Sequence, residues 1–187
     1  PDTVKTSITP KFEIVEEKIS KFQEHLILYQ GRRLAKKFNE LVDSIQGDRV
    51  KEAVAKGYHK LLAYKDEYEV ARLHLETRQR AEENFDNVDV MTFHLAPPLL
   101  SKIGSGERPL KRKFGPFMER IFPILAWLKI LRGTPLDIFG YTAERKMERA
   151  LIQQYESDML EVLPQLNKET EDAIVALAEL PTFIRGF

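Results

Sequence analysis

Three segments of the chain combine charged residues, aromatic residues and turn formers at spacings that could support chemistry. They are residues 63–73 (AYKDEYEVARL), 93–100 (FHLAPPLL) and 133–149 (GTPLDIFGYTAERKMER). Such mixtures are typical of buried polar networks, of cofactor surroundings and of fixed interfaces with another domain. Residue chemistry alone leaves these three alternatives open.

In the first segment, the charges fall at helical spacing. Lys65 and Glu69 are four residues apart and Arg72 follows three later, so a helix would bring all three to one face. This pattern indicates either a salt-bridged surface or an ordered network in which Asp66 or Glu67 is a polar anchor. A general base would also need a partner group, and the segment contains none.

The second segment contains His94 in a strand-like run before two prolines, where a bond to a nearby carbonyl is the simplest prediction. The other histidines are scattered over predicted helices, and none lies at metal-ligand spacing from His94. A basic cluster follows nearby. Its charges either protect an edge strand or form a candidate anion site for a nucleotide or acyl-CoA phosphate. The cluster consists of Arg108, Lys111, Arg112 and Lys113.

The third segment lacks the glycine spacing of Walker and Rossmann phosphate loops. We therefore predict a shaped turn in which Asp137 accepts from local amides, with Tyr141 beside it. Arg145 and Arg149 are four apart on the next predicted helix. They could clamp a carboxylate of this domain or of a partner.

Composition limits the remaining function classes. The 187 residues suffice for one domain with a real core, and 29 basic residues balance 29 acidic ones. Zero net charge gives no general attraction to nucleic acid or to an anionic membrane. The absence of cysteine excludes a thiol nucleophile and any cysteine-held iron–sulfur cluster in this chain, and it is compatible with the cytoplasm.

Helical periodicity dominates, so the predicted fold is mainly α: one domain over residues 1–187 with five to seven helices. Residues 1–11 are predicted to be a linker, and residues 88–115 a small two-stranded β-hairpin appendage. Apolar spacing predicts one helix through residues 50–75 and a buried core helix over residues 116–131. The apolar series changes phase at Gly31, which predicts either two helical segments meeting there or one helix with a changed buried face. Thr142 is predicted to be a helix N-cap.

The three segments also carry a family resemblance. Together with residues 114–118 (FGPFM), 26–30 (LILYQ) and 180–187 (LPTFIRGF), they resemble the C-terminal helical domain of fused indolepyruvate ferredoxin oxidoreductases. The resemblance covers about residues 20–187 in the same order. It departs at Phe117, where the family has tryptophan, and after Asp137, where Ile138 and Phe139 stand for proline or arginine followed by phenylalanine.

This resemblance implies a parent enzyme that decarboxylates an aryl 2-oxoacid on thiamine diphosphate, reduces ferredoxin through 4Fe-4S clusters and forms acyl-CoA and CO2. The fragment would carry no cofactor and no catalytic residue. It would be a structural or docking element that packs on upstream domains of the same polypeptide, in a cytoplasmic and homo-oligomeric parent. No nucleic-acid or membrane partner is expected.

Two alternatives belong to other classes. The chain could be a free-standing helical interaction module, or a domain that binds coenzyme A or another anion through its arginines. The length of the natural open reading frame would separate the first alternative from an enzyme fragment.

Overall fold

A computed structural model describes residues 14–84, 93–95, 112–115 and 117–184. Within these ranges the protein is mainly helical, as predicted. The seven α-helices of the described part are α1 (Val15–Tyr29), α2 (Arg32–Val42), α3 (Asp48–Leu62), α4 (Glu67–Asn84), α5 (Met118–Trp127), α6 (Ala143–Val162) and α7 (Glu171–Glu179). Short 3-10 turns follow α5, α6 and α7 at Leu128–Leu131, Leu163–Gln165 and Leu180–Phe183.

Two three-residue strands, β1 (Phe93–Leu95) and β2 (Arg112–Phe114), pair antiparallel with Phe93 opposite Phe114. They are much shorter than the predicted appendage over residues 88–115, and most of that span lies outside the described residues. A β-hairpin packed as a unit on the helices is therefore not established. The predicted linker over residues 1–11 also lies outside them.

The larger core surrounds α3, whose buried side chains contact α1, α2, α6 and α7. Tyr58 of α3 stacks between Phe38 of α2 and Tyr155 of α6, with ring centroids 5.9 Å apart on both sides. Gly57 lets α7 approach closely, because a Cβ there would lie 2.1 Å from the carbonyl oxygen of Ala178. Most of the buried apolar side chains of the described residues belong to this core.

A second, smaller core joins α4 and α5 through Ala71, Met118 and Phe122. The prediction of a buried core helix over residues 116–131 is wrong in part: the α-helix covers only Met118–Trp127, and only its face with Met118 and Phe122 is buried. Trp127 is 66% exposed and Ile130 58% exposed. No helix in the described ranges is long and apolar enough to cross a membrane.

The single helix predicted over residues 50–75 is two helices. α3 ends at Leu62, and α4 begins at Glu67 after four linking residues. The break occurs because Asp66 accepts from the backbone N–H of Glu69 at 2.8 Å and so caps α4. Tyr64 and Tyr68 continue the apolar spacing of α3 across the break, so the sequence pattern does not indicate that a helix ends there.

Candidate functional site

A buried ion pair forms the centre of the site. Arg132, at the end of the 3-10 turn after α5, donates from Nε to Oδ2 of Asp66 at 2.5 Å and from Nη2 to Oδ1 at 2.8 Å. Both side chains are 3% exposed or less. Two parallel bonds between a planar guanidinium and a carboxylate make a geometrically specific contact. The pair joins the start of α4 to the end of the α5 segment.

The same guanidinium is held from a third direction by the end of α1. Arg132 Nη1 donates to the backbone carbonyl of Tyr29 at 3.0 Å, and the guanidinium carbon Cζ of Arg132 lies 3.7 Å from the centroid of the Tyr29 ring. The Tyr29 hydroxyl donates to the carbonyl of Tyr64 at 2.9 Å. Burial, and secondarily the nearby Asp66 carboxylate, raise the pKa of Tyr29, so this phenol stays protonated.

Asp137 shapes the connection between α5 and α6, residues 133–142. Its carboxylate accepts from the backbone N–H of Gly133 at 2.9 Å and of Gly140 at 3.1 Å, as predicted for a turn. The Tyr68 hydroxyl of α4 donates to the same carboxylate at 3.1 Å. Gly140 has no room for a side chain, because a Cβ would lie 2.5 Å from Asp137 Oδ2. The connection is thus tied to α4 by a buried acid.

A second polar cluster lies on the α1, α3 and α4 side. Arg72 binds Glu69 with two hydrogen bonds, at 2.6 and 2.9 Å. Burial alone would raise the pKa of Glu69, but hydrogen bonds from Arg72 and His25 lower it to about 2. His25 in turn lies 2.9 Å from His59, Nδ1 to Nε2. Burial and the neighbouring His25 lower the pKa of His59 to about 4, so His59 is neutral at physiological pH.

Arg145 binds within the domain rather than presenting a free clamp. It pairs with Glu148, lies 3.8 Å from Glu67 and donates to the carbonyl of Lys65 at 3.4 Å. Burial raises the pKa values of Glu67 and Glu148, and this effect exceeds the lowering caused by the positive charge of Arg145. Arg149 donates to the Gly140 carbonyl at 2.5 Å and makes no ion pair with any described residue.

The family described as "Family of unknown function (DUF6537)" matches residues 15–187. The chain belongs to the DUF6537 family. No curated protein and no solved structure matches the chain.

The DUF6537 fold brings two of the three predicted segments together. Residues 63–73 contact residues 133–149 through Tyr68–Asp137 and Lys65–Arg145. The predicted shared face of Lys65, Glu69 and Arg72 is wrong in part: Lys65 is exposed in the link before α4, and only Glu69 and Arg72 pair.

The remaining predicted site residues are not joined to this network. Tyr141 is exposed and donates from its hydroxyl to the Pro135 carbonyl at 2.7 Å. The predicted helix N-cap is confirmed, since Thr142 accepts from the N–H of Arg145 at 3.3 Å. Backbone placement alone is described for His94, Arg112 and Lys113, in β1 and β2. Arg108 and Lys111 lie outside the described residues.

Sequence reasoning missed the residues at the centre of the network. Arg132 was not singled out, although it precedes the third segment directly, and its partners Asp66 and Tyr29 are 66 and 103 positions away. His25 and His59, predicted to be scattered, meet because α1 packs on α3. Within the described ranges, no group of three or more acidic or histidine side chains is placed to hold a metal ion.

Five large apolar side chains on the segments that flank the network residues Arg132 and Asp137 are exposed, and we term this set the apolar rim. It comprises Ile124, Trp127 and Ile130 of the α5 segment with Leu136 and Ile138 of the connection to α6. Each of these side chains is 58–69% exposed. The rim thus consists of large exposed apolar side chains on the two segments that adjoin Arg132 and Asp137 in the chain. Such patches are typical of interaction sites.

Proposed function

We propose that this DUF6537 domain is the docking domain of a thiamine-diphosphate-dependent indolepyruvate, or aryl 2-oxoacid, ferredoxin oxidoreductase. The proposal rests on the resemblance of about residues 20–187 to the C-terminal domain of such enzymes. In it, the parent enzyme forms acyl-CoA, CO2 and reduced ferredoxin, while this domain packs against upstream parts of the same polypeptide. The domain itself carries no catalytic step.

The apolar rim is the observation that supports docking best. Trp127 is 66% exposed and Leu136 69% exposed, although both adjoin a tightly bonded core. Burying such side chains stabilises an interface by about 1.5–3 kcal/mol each. Tryptophan is also enriched among the residues that dominate binding energy at protein interfaces.

The polar network supports the same proposal through rigidity. Asp66 and Arg132 pair with each other, and Asp137 accepts from the Tyr68 hydroxyl and from two backbone N–H groups, so these charges are used within the domain. Because Arg132 and Asp137 fix the backbone next to Ile130, Leu136 and Ile138, little conformational entropy would be lost when these residues bind a partner. A preorganised apolar surface suits permanent packing between domains.

The rest of the proposal follows from the parent enzyme. Thiamine diphosphate and the 4Fe-4S clusters would be held by upstream domains, and ferredoxin would bind the parent. The parent would be a cytoplasmic homo-oligomer.

Trp127 offers a direct test, because it is the only tryptophan of the chain. The 187-residue chain is labelled with 5-fluorotryptophan and titrated with the separately expressed upstream polypeptide. We expect the single fluorine resonance to shift and broaden. An unlabelled chain should displace the labelled chain from the upstream polypeptide, and we expect an unlabelled chain carrying Trp127→Asp to be unable to do so.

Leu160→Asp is the matched control, because Leu160 is a 69% exposed apolar residue on α6, outside the rim. This variant should compete as well as the unmodified chain. An unchanged fluorine resonance at saturating upstream polypeptide would refute docking through the rim. A natural open reading frame of only domain length would refute the parent enzyme itself.

A further inference from the structure

A cavity of about 410 Å³ opens at the C-terminal end of α3, and no residue of the apolar rim lines it. Its walls come from α1, α3, α6 and the 3-10 turn after α7. Leu61, Leu151, Pro181 and Ile184 supply apolar surface. This volume lies in the range of pockets that bind one small molecule, and apolar walls with a few polar groups are typical of them.

The charged groups at this cavity leave an excess of positive charge. Lys60 and Lys65 line it, are exposed, and form no ion pair with a described residue. Glu148 is the acidic residue of the lining, and it is already paired with Arg145. An anionic ligand group beside these two lysines would therefore meet ammonium groups that no described carboxylate neutralises.

One polar group of the lining, the imidazole of His59, is uncharged. His59 lies against His25 at 2.9 Å and stacks on Phe22 with ring centroids 4.4 Å apart. Its low pKa, caused by burial and by His25, keeps the imidazole neutral. An apolar ligand body can lie beside a neutral aromatic ring without covering a charge. The cavity thus separates an apolar and aromatic interior from cationic groups.

We infer that this cavity binds a small amphiphilic carboxylate, whose anionic group lies at Lys60 and Lys65 and whose apolar body packs on Leu61, Leu151 and Ile184. Two observations carry the inference: the concave apolar wall, and two lysines whose charge the described residues leave unpaired. The proposed docking function uses neither of them. Failure of one proposal therefore leaves the other standing.

The test uses 3-phenylpropionate as probe and 3-phenylpropanamide as its neutral match. The 187-residue chain is titrated with each and followed by NMR of backbone amides and methyl groups. We expect millimolar binding of the carboxylate, as for other ligands of this size. Shifts should centre on the methyl groups of Leu61, Leu151 and Ile184, and the amide should bind several-fold more weakly.

Three variants separate charge, shape and folding. Lys60→Gln with Lys65→Gln should weaken carboxylate binding about three- to tenfold, since exposed charges contribute modestly. Leu151→Trp should fill the cavity and abolish binding of both probes. Lys146→Gln removes an exposed lysine of α6 outside the cavity and should leave binding unchanged.

Circular dichroism confirms that each variant is folded before titration. Carboxylate binding that the lysine variants leave unchanged would overturn the assignment of the anionic group. Absence of shifts at millimolar probe, or shifts centred elsewhere, would overturn the site.

Discussion

Replacing Asp66 by Asn tests whether the buried ion pair holds the domain together. The change leaves the guanidinium of Arg132, whose side chain is only 3% exposed, with no counter-charge. Removing one partner of a buried pair costs about 3–5 kcal/mol. Arg132 keeps its contacts with the carbonyl and the ring of Tyr29, and the Asn side chain can still cap α4. We therefore expect a loss at the lower end of this range, about 3 kcal/mol of unfolding free energy. Domains of this size unfold with only about 5–15 kcal/mol, so the loss is large.

Urea denaturation followed by circular dichroism measures this loss as a lower midpoint with an unchanged slope. Asp172→Asn is the matched control, because Asp172 pairs with Arg49 at the same 2.5 Å but at the surface. It should change the midpoint little, since solvent screens exposed pairs.

The double variant Asp66→Asn, Arg132→Met completes the experiment. It removes the uncompensated charge and should recover part of the lost stability. If Asp66→Asn lowers the free energy of unfolding no more than Asp172→Asn does, burial does not determine the energy of the Asp66–Arg132 pair. That result would refute the role of this pair in holding the domain together.

Three further predictions concern the larger core, and thermal denaturation followed by circular dichroism measures each. Gly57→Ala should lower the free energy of unfolding by roughly 1–3 kcal/mol, because its Cβ would overlap the Ala178 carbonyl. Gly115→Ala is the control and should leave stability unchanged, because no atom lies within 4 Å of a Cβ at that position. Equal effects of the two variants would contradict the close approach of α7 to Gly57. The lowered pKa of His59, about 4, means that the unfolded chain binds a proton more tightly. Stability should therefore be complete above the ordinary pKa of about 6.5 and fall by about 2–3 kcal/mol towards pH 4. His59→Phe should remove that part of the pH dependence, and an unaltered profile would show that His59 is not its source. Tyr155→Phe should lower the free energy of unfolding by about 1 kcal/mol, because it removes the hydroxyl that donates to the Ala178 carbonyl at 3.0 Å. A variant as stable as the unmodified chain would show that this hydrogen bond does not stabilise the domain.

Local signals in the sequence predicted the helices well. The N-cap at Thr142 is confirmed, and of the two alternatives at Gly31 the structure has two helices that meet there. Each depends on residues within one helical turn, which the sequence displays directly. The turn shaped by Asp137 was predictable for the same reason, since its two amide donors lie three and four residues away.

Contacts between distant segments could not be predicted in this way. Nothing near Arg132 in the sequence indicates that Asp66 is its partner, because the contact exists only after α1, α4 and α5 have packed. The apolar residues of α5 predicted burial, yet Trp127 is exposed. Hydrophobic spacing identifies a face that needs a partner, but it does not tell whether the same domain supplies that partner.

The unequal size of the two cores has a consequence for hydrogen exchange. The α4–α5 pair is held mainly by Ala71, Met118 and Phe122, whereas α3 sits among four helices. Amide protons of α5 should therefore exchange through a partial opening that leaves the α3 core intact. Arg132 lies where such an opening must begin, so its bonds to Tyr29 and Asp66 set how independently the two parts fluctuate.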